Sequence, residues 1–240
     1  MSILHKAPSD FGFFLGNVSF ITPSHTDSSY LSRIQSSGVH PSVNSKLKRC
    51  LDIVGAIVGL TLTAILFIPI ASAIYFNDPG PILYSQVRCG FRGRVFRIWK
   101  FRSMVVNAEQ IQHLIPNQAD GGIFKNERDP RVTSIGRFLR RTSLDELPQF
   151  WNVLLGEMSL VGTRPPTLGE VQRYNARHWK RLEVKPGITG EWQVNGRSKV
   201  LKFEKIVTLD LRYLRRWSIA YDLKLILKTI QVVLWRDGAC

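Results

Sequence analysis

A stretch without charge between Asp52 and Asp78 constrains the fold of this chain more than any other feature. It reads DIVGAIVGLTLTAILFIPIASAIYFND and is mostly apolar. About 20 apolar residues are enough for a helix to cross the hydrocarbon core of a bilayer. A buried helix of a soluble protein is the alternative, and this length disfavours it. We therefore predict a membrane helix over residues 46–78.

Basic residues flank this stretch on both sides. Lys46, Lys48 and Arg49 precede it, and Arg88, Arg92, Arg94, Arg97, Lys100 and Arg102 follow it. Positive charge near a membrane helix tends to stay on the cytoplasmic side, which predicts that both ends lie there. Pro69 removes one helical hydrogen bond and favours a kink. These features favour a re-entrant helix and a monotopic protein whose basic face lies on anionic headgroups, with a simple transmembrane span as the alternative.

The charge balance of the whole chain predicts an anionic partner. Lys and Arg number 33 against 18 Asp and Glu, a formal net charge of +15. Such an excess suits nucleic acid, anionic lipid or phosphorylated small molecules. The three scattered cysteines, Cys50, Cys89 and Cys240, indicate neither a disulfide framework nor a metal site. Residues 1–45 are rich in Ser with Thr, Pro and Asn, and we predict a disordered tail there.

Residues 79–240 carry the patterns of a mixed domain on the membrane surface. ILYSQVR and RVFRIWKFR, separated by CGFRG, predict a β-hairpin. FEKIVTLDLRYLRRW predicts a helix that either lies on the membrane or packs in the core with a solvated basic face. DLKLILKTIQVVLW predicts a last helix with Lys224 and Lys228 on one side and an apolar side made of Leu223, Ile226, Leu227, Ile230, Val233 and Leu234. The fold class is α+β, a mostly helical membrane-associated domain with a β-hairpin and an N-terminal re-entrant helix.

Two adjacent carboxylates, Asp145 and Glu146, lie within RRTSLDELPQFWN. One reading is structural, because Ser143 and Glu146 match the capping box S-x-x-E at a helix N-terminus, where acidic residues also suit the helix dipole. Pro148 would then be the fifth helical residue, where its missing N–H costs a hydrogen bond and distorts the helix.

The other reading is chemical. One carboxylate can attack phosphorus and form a covalent intermediate, while a second holds Mg²⁺. Arginine side chains bind phosphate through planar, bidentate hydrogen bonds. The basic residues available for this are Arg140, Arg141 and Arg164, together with Lys100 and Arg102 from the hairpin. This set predicts phosphoryl chemistry at a bilayer, and the two readings are compatible because a helix N-terminus suits phosphate.

Three long motifs in order carry a family resemblance. They are GPILYSQVRCGFRGRVFRIWKFRSM, DPRVTSIGRFLRRTSLDELPQFWNVLLGEMSLVGTRP and VKPGITGEWQVNGR. From about Lys46 to the C-terminus, the chain resembles the bacterial sugar transferase family, the monotopic polyprenyl-phosphate phosphoglycosyl transferases. The single hydrophobic segment resembles the short form of these enzymes.

The resemblance implies transfer of a sugar 1-phosphate from a UDP-sugar to undecaprenyl phosphate with release of UMP. This reaction is the first membrane step of exopolysaccharide, O-antigen or glycan assembly, at the cytoplasmic face of the bacterial inner membrane. Asp145 matches the nucleophile, which forms an aspartyl phosphosugar, and Glu146 matches the carboxylate that binds Mg²⁺. Arg140 and Arg164 match phosphate-binding arginines, and Lys100 lies in the matching KFRSM element. The resemblance implies no nucleic-acid partner. It leaves open whether the chain forms a homodimer.

The sequence departs from the family pattern at two positions. Thr163 stands where the family usually has Pro before Arg164, which leaves the direction of Arg164 less constrained. Ile68 precedes Pro69 where some relatives have Ser, which leaves the transmembrane alternative open. For Trp192 we expect a core or interfacial position rather than stacking on a base. The alternative function is a non-catalytic, membrane-anchored basic protein that binds anionic lipid or nucleic acid, which leaves the ordered motifs unexplained.

Overall fold

The computed structural model describes residues 38–120, 123–196 and 200–235. Its described part combines helices with two small two-stranded sheets, which confirms the mixed fold class. The helices are α1 (Pro41–Asn44), α2 (Lys46–Asn77), α3 (Ser134–Thr142), α4 (Gln149–Leu155), α5 (Leu168–Val171), α6 (Ala176–Trp179), α7 (Glu191–Val194), α8 (Phe203–Arg216) and α9 (Ile219–Trp235). The strands are β1 (Leu83–Cys89), β2 (Val95–Phe101), β3 (Ser159–Val161) and β4 (Gly187–Thr189). Most of the predicted tail and Cys240 lie outside the described residues.

Helix α2 contains the whole apolar stretch. It runs unbroken for 32 residues, through Pro69, and the Ser45 hydroxyl caps it by accepting the Lys48 N–H at 3.2 Å. Among the described residues it is the one helix long and apolar enough to cross a membrane. Its buried residues recur at helical spacing and form one stripe: Lys48, Asp52, Ala56, Gly59, Ile70 and Ile74. The predicted membrane helix is confirmed in length and composition, and its re-entrant path stays a prediction.

Small residues let α2 lie closely against the rest of the chain. A Cβ atom at Gly55 would overlap the Leu160 side chain, and one at Gly59 would overlap the Phe150 ring. Further along, the Thr63 hydroxyl donates a hydrogen bond to the Leu147 carbonyl at 3.3 Å. The outward face is apolar and exposed, as at Leu47, Val54, Ile57, Val58, Ile65, Phe67, Ile68, Tyr75 and Phe76. The buried stripe therefore attaches the helix to the domain along most of its length.

The predicted hairpin is confirmed. Strands β1 and β2 pair antiparallel from Leu83 opposite Phe101 to Cys89 opposite Val95. The turn between them contains Arg92 with a left-handed φ of 54°. Strands β3 and β4 pair in parallel, with Ser159 opposite Gly187. The hairpin delivers the end of β2, and with it Lys100, to the cleft described below.

The two C-terminal helices pack differently from each other. Helix α8 buries Phe203, Ile206, Val207 and Tyr213, so of its two predicted settings the structure shows the core helix. In α9, Leu225 is buried in the core and Ile226 packs partly against it, whereas Leu223, Leu227 and Ile230 are exposed. Much of the predicted apolar side of α9 therefore faces away from the core.

A buried ion pair explains which side of α9 faces inward. The Lys48 ammonium donates to the Asp222 carboxylate at 2.6 Å, to the Val161 carbonyl at 3.0 Å and to the Tyr213 hydroxyl at 3.3 Å. The Trp217 indole also donates to Asp222, at 3.1 Å. Asp222 must face this network because an isolated buried lysine would be strongly unfavourable, and it turns the Leu225 side inward with it.

Candidate active site

The two carboxylates lie on a tight turn between two helices. Helix α3 ends at Thr142, and Ser143 follows in the left-handed conformation with φ 58°, as the C-cap of that helix. Residues Leu144–Glu146 form one 3₁₀ turn, to which the Ser143 side chain makes no capping bond. The predicted capping box at Ser143 is therefore wrong, because Ser143 is the C-cap of α3 and its side chain does not cap the 3₁₀ turn that begins after it. Pro148 is likewise the residue before α4, where its missing N–H costs nothing.

Lys100 contacts both carboxylates. Its ammonium lies 2.7 Å from Oε1 of Glu146 and 4.0 Å from Oδ2 of Asp145. The Asp145 side chain is 9% exposed and the Glu146 side chain 29% exposed. The cation at the end of β2 therefore holds two neighbouring negative charges together, with Glu146 the more open of the two.

Arg140 approaches the same carboxylates from the last turn of α3. Its Nε donates to the Ser103 hydroxyl at 2.9 Å, which fixes the direction of the guanidinium group. Burial lowers the pKa of Arg140, and the charges of Asp145 and Asp129 oppose that shift. Asp129 is itself held by hydrogen bonds from Arg131, the two shortest of them at 2.9 and 2.7 Å. The bond to Ser103 and the charges of Asp145 and Asp129 thus direct Arg140 toward the carboxylate turn.

Arg164 is held by a buried carboxylate that follows it in sequence. Its two terminal nitrogens donate to the two oxygens of Glu170 at 2.8 and 3.3 Å. Arg88 lies 3.9 Å from the same carboxylate. Burial raises the pKa of Glu170, but Arg164 and then Arg88 outweigh it, so the net shift is downward. Glu170 also completes a capping box with Thr167 at the start of α5, which fixes its backbone.

One cleft of about 1010 Å³ connects these groups. All five predicted site residues line it: Lys100, Arg140, Asp145, Glu146 and Arg164. Trp192 lines it too while packing against the main hydrophobic core, and the Arg164 guanidinium lies 5.9 Å from the centre of its ring. Arg141 is exposed and does not line the cleft. Arginine, lysine and carboxylate groups thus converge from three separate parts of the chain.

The sequence profile of the family described as bacterial sugar transferase matches residues 43–236. The chain belongs to this family. It is 54% identical over 194 residues to the galactosyl transferase CpsE of Streptococcus agalactiae, covering 80% of this chain and 43% of that protein. It is 43% identical over 195 residues to UDP-glucose:undecaprenyl-phosphate glucose-1-phosphate transferase of Escherichia coli, covering 78% of this chain and 40% of that protein.

A third relative is of similar length. The exopolysaccharide production protein ExoY of Sinorhizobium fredii is 36% identical over 211 residues, which cover 85% of this chain and 93% of that protein. The chain thus spans less than half the length of the first two relatives and nearly all of the third. The matched region of this sugar transferase contains all the residues that line the cleft.

Sequence reasoning missed Glu170 and gave Arg88 only a membrane-flanking role. Thr167 and Glu170 are three residues apart and match the T-x-x-E capping pattern, which is the signal that could have found Glu170. No local signal links Arg88 to this carboxylate, because they come from different elements. Ser103, which orients Arg140, lacked a signal for the same reason.

Thr163 stands where the family usually has proline, and in this sugar transferase a hydrogen bond takes over the role of the proline ring. Thr163 is buried, and its hydroxyl donates to the Arg181 carbonyl at 2.9 Å. A hydrogen bond therefore anchors the segment before Arg164 where the family usually has a proline ring. Glu170 then sets the direction of the Arg164 side chain.

The carboxylate pair fits a magnesium ion of the kind that is shared with a phosphate substrate. Mg²⁺ binds through one or two carboxylates together with phosphate oxygens and water. Glu146 offers a partly exposed carboxylate in the cleft with Asp145 beside it. Among the described residues no group of three or more His, Cys, Asp or Glu side chains could form an all-protein metal site. The donor set therefore suits Mg²⁺ only with substrate phosphate as a further ligand.

Proposed function

We propose that this sugar transferase moves a sugar 1-phosphate from a UDP-sugar to undecaprenyl phosphate and releases UMP. The observation that carries the proposal is the convergence of Asp145, Glu146, Lys100, Arg140 and Arg164 in one cleft. Two carboxylates among several cations suit transfer of a phosphoryl group. The names of the relatives, which include a UDP-glucose:undecaprenyl-phosphate glucose-1-phosphate transferase, support the choice of donor and acceptor.

In the first step of the proposal, an oxygen of the Asp145 carboxylate attacks the β-phosphorus of the donor. A bond forms between that oxygen and phosphorus while the bond from phosphorus to the bridging oxygen breaks. UMP leaves with the bonding electron pair, and the sugar phosphate stays on Asp145 as an acyl phosphate. Arg140 lies on the same side of the cleft and neutralises charge that develops on the phosphoryl oxygens.

In the second step, a phosphate oxygen of undecaprenyl phosphate attacks the same phosphorus. The bond to Asp145 breaks, the carboxylate is restored, and the lipid carries a diphosphate-linked sugar. Two displacements allow the soluble donor product to leave before the lipid acceptor binds, as in other covalent mechanisms. Arg164, which lines the same cleft, would bind the nucleotide phosphate in this scheme.

Glu146 would hold Mg²⁺ together with donor phosphate oxygens, and the ion would neutralise charge on the diphosphate. Lys100 bridges Glu146 and Asp145, which keeps the two carboxylates close together. The residues of this chain thereby orient the nucleophile, and the metal requirement forms part of the proposal.

The proposal places the protein on the cytoplasmic leaflet of the bacterial inner membrane. The buried stripe of α2, from Lys48 to Ile74, faces the domain while the opposite face exposes apolar side chains. A helix attached along this length favours monotopic insertion, including the re-entrant path, over a straight span away from the domain. The basic residues at both ends of α2 suit the cytoplasmic side.

The test uses the full chain in detergent with Mg²⁺ and a panel of UDP-sugars, first without acceptor. The proposal expects a burst of up to one UMP per protein and a radiolabelled sugar phosphate bound to the protein, which undecaprenyl phosphate then removes. Chelation of Mg²⁺ and Glu146→Gln should both suppress the burst. UMP release that strictly requires the acceptor, with no labelled protein, would exclude the covalent route. Polyanion binding without turnover of any donor would favour the non-catalytic alternative.

A further inference from the structure

A second cavity, of about 260 Å³, lies at the N-terminal end of α2. It shares no lining residue with the carboxylate cleft, so the proposed transfer reaction does not use it. The residues around it are Ser42, Val43, Ser45, Lys48, Arg49, Asp52 and Lys185. The lining therefore contains three cationic side chains and one carboxylate.

Two of these charged groups are already engaged. Lys48 donates to three oxygens, including the Asp222 carboxylate, which neutralises it. Asp52 accepts hydrogen bonds at one oxygen from the Ser159 hydroxyl at 2.8 Å and from the Leu160 N–H at 2.9 Å. Asp52 thus holds α2 against β3, and its charge is the one negative charge of the lining.

Arg49 and Lys185 supply the positive excess. Arg49 donates to the carbonyls of Val153 and Leu154 at 2.8 and 2.7 Å, which leaves further N–H groups, and no carboxylate of the described residues forms an ion pair with it. For the half-buried Lys185 ammonium, the described residues provide no hydrogen bond and no ion pair within 4.0 Å. Burial and then the charge of Arg49 lower the pKa of Lys185, with Asp52 opposing.

The two cations lie close together. A Cβ atom built on Gly156 would be 3.4 Å from Nζ of Lys185 and 3.6 Å from Cζ of Arg49. The two groups are therefore no farther apart than the sum of these distances. Like charges at such separation repel each other unless an anion lies between them. Glycine at position 156 leaves the space above the backbone open to both groups.

The cavity adjoins the membrane-facing part of the chain. Leu47 and Val54, on the outer face of the same helix turns, are 62% and 55% exposed. An apolar face that begins beside a basic cavity places the cavity at the depth of lipid headgroups when that face enters the bilayer. Basic pockets at this depth bind lipid head groups in other membrane proteins.

We propose that this cavity binds the phosphate group of an anionic phospholipid, with Lys185 and Arg49 as its ligands. The ammonium and guanidinium groups donate charge-assisted hydrogen bonds to the phosphate oxygens, and the bound anion offsets their mutual repulsion. The lipid then stabilises the region where α2 leaves the membrane surface. This site shares no lining residue with the cleft in which we propose that the transfer reaction takes place.

The test measures binding of short-chain phosphatidylglycerol to the full chain in detergent, through the shift of thermal unfolding with lipid concentration. Lys185→Gln should weaken binding by about tenfold or more, because one charge-assisted interaction is lost. Lys185→Arg should restore most of the affinity. Lys202→Gln, which alters an exposed lysine that does not line the cavity, should change nothing.

Two further arms identify the source of the phosphate. Inorganic phosphate should bind at least tenfold more weakly than the lipid, and the zwitterionic short-chain phosphatidylcholine should also bind more weakly. Equal binding of phosphatidylglycerol by Lys185→Gln and Lys202→Gln would overturn the proposal, and so would inorganic phosphate binding as tightly as the lipid. No donor or acceptor is present in this assay, so its outcome is independent of the proposed transfer reaction.

Discussion

At one end of the cleft two carboxylates, Asp145 and Glu146, lie beside the cation of Lys100, whereas at the other end the carboxylate of Glu170 holds the guanidinium groups of Arg164 and Arg88. At the first end one cation holds two carboxylates, and at the second end one carboxylate holds two cations. Side-chain exposure separates them, since Glu146 is 29% exposed and Glu170 only 3%. An open carboxylate can reach a ligand, and an enclosed one serves to position its partners.

This difference shows that a charged group can line the cleft without taking part in the reaction. Glu170 lies on the cleft wall but is committed to Arg164, Arg88 and its capping box. We expect its loss to weaken both folding and donor binding. Loss of the carboxylates at the other end should instead remove the chemistry and leave folding nearly unchanged. The following predictions test that division, starting with the largest effect.

Asp145→Asn should reduce UMP release on the order of 10³-fold or more, because the nucleophilic oxygen loses its charge. Asparagine has nearly the same size, so the midpoint of thermal unfolding should shift by only a few degrees. The measurement pairs a turnover assay with thermal unfolding of the same preparation. Glu204→Gln is the control, since it alters an exposed carboxylate that does not line the cleft. Turnover within tenfold of the unchanged chain would remove Asp145 from the nucleophile role.

Glu170→Gln should lower kcat/KM for the donor by roughly 10- to 100-fold, mainly through KM, because Arg164 loses its bidentate partner. It should also lower the free energy of unfolding by about 1–3 kcal/mol, since buried charged hydrogen bonds are weakened. Glu146→Gln is the matched change at the other end and should reduce kcat with little effect on stability. An equal loss in the free energy of unfolding for the two variants would show that Glu146 and Glu170 contribute equally to folding.

The pH dependence of stability should separate the two ends further. The folded-state pKa of Glu170 is lowered from its ordinary value of 4.5. The resulting stabilisation is fully present above the ordinary value and is lost as pH falls through the folded-state pKa. The midpoint temperature of unfolding should therefore decrease as the pH drops below about 4.5. The decrease should be smaller in Glu170→Gln. Identical pH profiles for the two proteins would show that Glu170 carries no such linkage.

Thr163→Val should have the smallest effect. It removes the hydrogen bond to the Arg181 carbonyl while keeping the shape, at about 1 kcal/mol in the free energy of unfolding. Turnover should fall less than threefold, because Glu170 still directs Arg164. Chemical denaturation and turnover measured on one preparation check both numbers. A large loss of turnover would mean that the backbone, rather than Glu170, sets the direction of Arg164.

Local patterns were sufficient to predict the membrane helix and the hairpin, and the family resemblance of the ordered motifs selected the five predicted site residues that line the cleft. Continuous apolar length, alternation about a glycine turn and ordered motifs each depend on neighbouring residues. The prediction at Ser143 failed although its pattern matched a capping box. Whether such a serine ends one helix or begins the next depends on how α3 and α4 pack, which the pattern S-x-x-E does not contain.

The remaining misses come from contacts between distant residues. Arg88 and Glu170 meet because β1 and α5 pack together, and no spacing in the sequence reports that. The orientation of α9 could not be predicted for a related reason. Its apolar periodicity indicated a side that contains Leu223 and Leu227 but not the direction that this side faces, and the ion pair between Lys48 and Asp222 turns another side inward. A single buried charge can outweigh several apolar side chains in setting the rotation of a helix.

That ion pair also bears on the order of events during synthesis. Lys48 and Asp222 are 174 residues apart, so during synthesis the partner of Lys48 is made long after α2. Until then α2 carries an unpaired lysine at its base. The addition of α9 therefore locks the N-terminal end of α2 in place, and a chain truncated before Asp222 would keep that lysine unpaired.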